Sequence, residues 1–180
     1  MSLFRAVAYI AHTREDILVF ISALQRHTSS PTLEHVRKLN KLLRWLQRHP
    51  KKLEYKAMSG SGTHLRCISD AAFKRESDTG YSLRGALYLR SGGQQAEAFA
   101  TDGTVHVLDW ACRAQRHVTR STFAAELLSG GDAVDQGILV SHMVHELESG
   151  PMSAAEARAK RDNGGYLPHG SLPRCHVCVC

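Results

Sequence analysis

The 180-residue chain reads as an α/β protein: a helical pair, then a three-stranded antiparallel meander closed by a long helix. Three patterns predict this. Apolar residues recur at three- and four-residue spacings as far as about residue 48, alternate with polar ones between residues 81 and 89, and return to helical spacing from about 121 to 148.

The first helix is expected over Thr13–His27, with Thr13 as N-cap, Glu15 and Asp16 in the first turn, and Ile17, Phe20, Ile21 and Leu24 on one face. Thr28-Ser29-Ser30-Pro31 ends it. A second helix starts near Thr32 and stops before Pro50, with Val36, Leu39, Leu43 and Leu46 forming the packing stripe. Arg37, Lys41, Arg44 and Arg48 form a parallel cationic stripe, and residues 33 to 56 hold eight basic side chains against two acidic ones. Such a stripe suits a phosphate backbone, and those four residues are the candidate nucleic-acid contacts. An ordinary solvated helix face has the same composition.

Ser59-Gly60-Ser61-Gly62-Thr63 has nothing to bury and is the expected linker. Beyond it, Leu65–Ile68 ending at Ser69-Asp70, Tyr81–Leu89 and Val105–Trp110 are the strand candidates. The long helix carries Leu127, Leu128, Val134, Ile138, Leu139, Met143, Val144 and Leu147, and Gly130-Gly131 is expected to weaken or kink it, at about 1 kcal/mol per glycine. The expected organisation is therefore residues 1–58 as a helical segment, 59–63 as linker, 64–149 as an α/β half-domain and 150–180 as a poorly ordered tail.

Composition excludes some classes. Hydrophobic residues make up 43% and charged ones 22%, which fits a globular chain, and no apolar run approaches the roughly 20 residues needed to span a bilayer. The start of the chain has no secretory pattern, so an intracellular location, cytoplasmic or nuclear, is expected. Five cysteines, an odd number, do not form a disulfide framework. Cys175-x-x-Cys178 is half of a tetrahedral zinc pattern with no second half in view.

The motifs in order carry more. Leu65-Arg66-Cys67-Ile68-Ser69-Asp70-Ala71, Arg75-Glu76-Ser77-Asp78-Thr79-Gly80-Tyr81, Asp109-Trp110-Ala111-Cys112-Arg113-Ala114-Gln115 and Ser121-Thr122-Phe123-Ala124-Ala125-Glu126 together resemble the ribonuclease H region of copia-type LTR retrotransposon polyproteins. Upstream, Thr13-Arg14-Glu15-Asp16-Ile17, Ser30-Pro31-Thr32-Leu33-Glu34-His35 and Leu42-Leu43-Arg44-Trp45-Leu46 are similar to the segment joining reverse transcriptase to that region. The resemblance implies an incomplete ribonuclease H-like fold behind the end of a reverse transcriptase, acting on the RNA strand of RNA–DNA hybrids with Mg2+. It assigns Asp70 and Glu126 as catalytic metal ligands. Two-metal hydrolysis needs further carboxylates. The family's later acidic motifs have no counterpart, since residues 149–180 contain only Glu156 and Asp162 as acids. The expectation is a degenerate polyprotein fragment of this ancestry; the alternative is a non-catalytic nucleic-acid-binding module built on the basic helix at residues 33–56.

Overall fold

In the computed structural model, residues 3–58, 63–72, 82–92, 104–115, 117–162 and 174–179 are described. The chain divides into two compact units, Met1–Glu54 and Tyr55–Cys180. The expected linker lies, except for Thr63, outside the described residues, as does the Arg75–Tyr81 motif.

The first unit is helical: α1 (Leu3–Ile10), a 3-10 turn at Glu15–Ile17 running into α2 (Leu18–Gln25), and α3 (Leu33–Arg48). Its core is Val7, Ala11, Ile17, Ile21, Leu24 and Leu42, with Leu39, Leu43 and Leu46 packed against it. The spacing of Leu39, Leu42, Leu43 and Leu46 is the i, i+3, i+4, i+7 pattern of one helix face. Two details differ from the sequence expectation. Val36 is 47% exposed, so the packed stripe starts a turn later, and Phe20 faces solvent at 56%. Thr13 does not cap the following helix; its hydroxyl donates to the Ile10 carbonyl at 3.2 Å, closing the end of α1. The N-terminus of α3 is held by a capping box in which His35 Nδ1 accepts the Thr32 backbone N–H at 3.1 Å.

The second unit is a mixed sheet crossed by one long helix. Strands β1 (Thr63–Ala72), β2 (Leu83–Gly92) and β3 (Val105–Ala114) form the antiparallel meander, followed by α4 (Thr122–Ser149), α5 (Ala154–Asp162) and β4 (Arg174–Val179). The order across the sheet is β3-β2-β1-β4. β1 and β2 pair from Thr63↔Gly92 to Ala72↔Leu83, and a bulge between Tyr88 and Leu89 interrupts the register with β3. This is an incomplete ribonuclease H-like α/β fold. In the segment read as a loose tail with room for a short helix at residues 154–160, α5 forms at that place and a strand is added: β4 runs parallel to β1, from His64↔Arg174 to Ser69↔Val179. Its six residues were passed over because alternation over so short a span, rich in Cys and His, gives little periodic signal.

Helix α4 is continuous through Gly130-Gly131, where a kink was expected. Ala125, Ser129, Ala133, Gly137, Val140 and Val144 are buried at successive spacings of four, four, four, three and four, forming one stripe. Its small members bring the helix close to the sheet, and Val140 and Val144 pack on Leu65, Cys67 and Tyr88. Tertiary packing of this face holds the helical conformation that the two glycines disfavour.

Candidate functional site

The candidate site sits at the C-terminal end of β1. Ser129 Oγ donates to the Asp70 carbonyl at 3.1 Å, which seats a turn of α4 over that strand end, and Glu126 lies one turn earlier on the same helix. Glu126 is half-buried, with Oε2 buried and lacking a hydrogen-bond partner among the described residues. Asp70 is exposed. Strand alternation groups it with Arg66 and Ile68, not with Leu65 and Cys67, which pack under α4. The fold brings the segments carrying Asp70 and Glu126 to one end of the β1–α4 contact, but alternation leaves Asp70 on the sheet face away from α4, so the two carboxylates do not share a face.

What would complete a metal centre is missing among the described residues. β4, the strand beside β1, contains Arg174-Cys175-His176-Val177-Cys178-Val179 and no carboxylate. No group of three or more His, Cys, Asp or Glu side chains is arranged to hold a metal ion among the described residues. The orphaned Glu126 oxygen suits a cation, yet two carboxylates fall short of the donor set that two-ion phosphodiester hydrolysis requires. Cys175 and Cys178 are registered against Leu65 and Ile68 of β1.

Three further acids on β3 and α4 are engaged or exposed. Asp132 pairs with Arg84. Asp109 accepts from the Trp110 backbone N–H at 2.8 Å and from Gln136 Nε2 at 3.2 Å. Asp135 is exposed. Beside them lies a cavity of about 230 Å³ lined by residues that include Arg84, Tyr88, Asp109, Arg113, Asp132 and Asp135. Burial holds the Tyr88 phenol up to about 12.

Two motif residues prove to be fasteners. Gln115 is buried; its backbone N–H donates to the Ser82 carbonyl at 2.8 Å and its Nε2 to the Ala125 carbonyl at 2.7 Å, tying the start of α4 to the strand ends. Ser121 caps α4, its Oγ accepting the Ala124 N–H at 3.1 Å. In the helical unit Arg14 does comparable work. Its Nε and Nη2 donate to the two Asp16 carboxylate oxygens at 2.9 Å each, and its Nη1 to the His49 carbonyl at 2.9 Å. The guanidinium also lies 5.3 Å from the Trp45 ring centroid. The hydrogen bond from Arg14 lowers the Asp16 carboxyl below its ordinary range. Sequence reading treated Asp16 as a helix-start acid and missed the clamp, because its third partner is a backbone carbonyl 35 residues away.

On α3 the predicted cations Arg37, Lys41, Arg44 and Arg48 are all exposed, and none bonds a carboxylate among the described residues. Lys38, by contrast, pairs with Glu34 at 2.8 Å.

The chain is 26% identical over 143 residues to a protein described as the retrovirus-related Pol polyprotein from transposon RE1 of Arabidopsis thaliana. The match covers 79% of this chain and 9% of that polyprotein, so the chain spans less than a tenth of its relative. The similarity supports a retrotransposon polyprotein origin. No family model matches the chain, and no solved structure does. No helix among the described residues is long and apolar enough to cross a membrane.

Proposed function

We propose that the chain corresponds to the ribonuclease H-like region of a copia-type retrotransposon polyprotein, preceded by the end of the reverse transcriptase, and that it does not cleave RNA–DNA hybrids. The observation that carries this reading is the composition of β4. The strand registered beside the end of β1 offers no carboxylate to join Asp70 and Glu126. With two ligands, neither the attacking water nor the leaving oxygen is held by a fixed pair of ions. A labelled RNA–DNA hybrid incubated with the chain and Mg2+ is expected to stay intact. Cleavage that disappears in Asp70→Asn would overturn the proposal.

A second reading is favoured by the four unpaired cations on α3: nucleic-acid binding without chemistry. Binding of a hybrid is then expected to weaken steeply with salt, and Arg37→Ala or Arg44→Ala to reduce the slope of log affinity against log salt by roughly 1 each.

A further inference from the structure

Helix α4 has a flanking strip tied to the sheet only through the Asp132–Arg84 pair. Leu128, Asp132, Asp135, Leu139, Met143 and Glu146 follow at spacings of four, three, four, four and three, so they share one side of the helix. Leu128 is 41%, Leu139 57% and Met143 63% exposed, and Asp135 and Glu146 face solvent. The helix has five acidic residues and no Lys or Arg. The cavity described above opens beside this strip, with Asp109, Asp132 and Asp135 around it against Arg84 and Arg113. Asp132 is paired with Arg84, but Asp135 and Glu146 are exposed without an ion pair among the described residues, and an apolar strip between two such acids fits a basic amphipathic helix.

This chain carries one. The outer side of α3 presents Arg37, Lys41, Arg44 and Arg48, and the helix has five basic residues to one acid. Arg37 and Arg48 are eleven residues apart, as are Asp135 and Glu146. At 1.5 Å per residue both spans are about 16 Å, so two opposite-charge contacts form at once in either helix direction. Between them the aliphatic stems of Lys41 and Arg44 cover Leu139 and Met143. We infer that α4 is a docking surface for α3 of a second copy of this chain, with one α3 arginine meeting Asp135 at the rim of the cavity. This inference is independent of catalysis, and because it occupies the α3 cations it sets self-association against nucleic-acid binding.

Sedimentation of the full chain after nuclease treatment tests it. The wild-type chain is expected to show a concentration-dependent dimer that weakens with salt. Asp135→Lys with Glu146→Lys in one variant, and Arg37→Glu with Arg48→Glu in another, are each expected to weaken the dimer by about tenfold or more. Mixing the two variants restores association, because each then offers the other a complementary surface. All four positions are exposed, and circular dichroism of each variant is the check that its helices are kept. A chain that stays monomeric, an association lost on nuclease treatment, or variants that do not complement on mixing would each overturn the inference.

Discussion

Arg14 in the helical unit is buried with its guanidinium bonded to a carboxylate and a backbone carbonyl, and with an aromatic ring beside it. In the sheet unit Ser69 Oγ, Gln115 Oε1 and Glu126 Oε2 are buried without a hydrogen-bond partner among the described residues. Buried polar groups are normally satisfied; Glu15 Oε2 in the helical unit is likewise without a partner among the described residues, and Gln115 and Ser121 fasten the sheet unit, so the contrast lies between Arg14 and Glu126. In the helical unit the Thr13–Ile17 motif works as a fastening. In the sheet unit Asp70 is exposed on the face away from α4, and Glu126 Oε2 is buried without a partner among the described residues.

The largest expected effect follows from that fastening. Arg14→Leu leaves the Asp16 carboxylate and the His49 carbonyl without their donor, and should destabilise the helical unit by about 2 kcal/mol. Trp45, which lies against Arg14, reports on this unit alone when Trp110 is replaced by Phe, so its emission during urea unfolding measures the loss. Arg14→Lys should recover only part of it, since an ammonium cannot fork across both Asp16 oxygens. An unchanged midpoint in Arg14→Leu would show that the motif is not a structural fastening.

The two units should also fail at opposite ends of the pH scale. Asp16 is held below its ordinary carboxylate range by the hydrogen bond from Arg14. Its contribution is therefore present at neutral pH and is lost as pH falls through the depressed folded value. Tyr88 is the reverse case, raised to about 12 by burial. Up to about pH 10 the phenol is neutral in both states; above that the unfolded chain gives up its proton first, and the sheet unit loses stability. Trp45 and Trp110 emission followed across a pH series reads the units separately. Asp16→Asn should remove the acid sensitivity of the first without moving the alkaline limb of the second.

Most of the architecture was legible because periodicity reports on it directly. The α3 face, the meander and the length of α4 are set by which side of each element meets a core. What escaped depends on partners distant in sequence. β4 is a strand because β1 stands beside it, and nothing in six residues announces that. The Arg14 clamp needs the end of α3. Helix α4 does not break at Gly130-Gly131 for a related reason: local propensity counts the glycines as a cost, while Ala125, Ser129, Ala133 and Gly137 form a stripe whose packing against the sheet outweighs it. At the candidate site the positions of Asp70 and Glu126 were legible from motif order, and so was the shortage of acids after residue 149. The orphaned state of the Glu126 oxygen was not, since burial is a property of the assembled unit.

The smallest effect tests whether α4 still carries avoidable cost. Gly131 lies on the exposed side of the helix, in ordinary helical conformation, and a Cβ built there meets no heavy atom within 4 Å. Alanine at this position adds no contact and removes only backbone freedom from the unfolded chain. Gly131→Ala should therefore stabilise the sheet unit by about 1 kcal/mol, read as a higher urea midpoint by Trp110 emission with the Trp45 transition unmoved. A midpoint that falls would mean that the glycine is needed for a close approach on the outer face of α4, and that this face is covered when the protein is in solution.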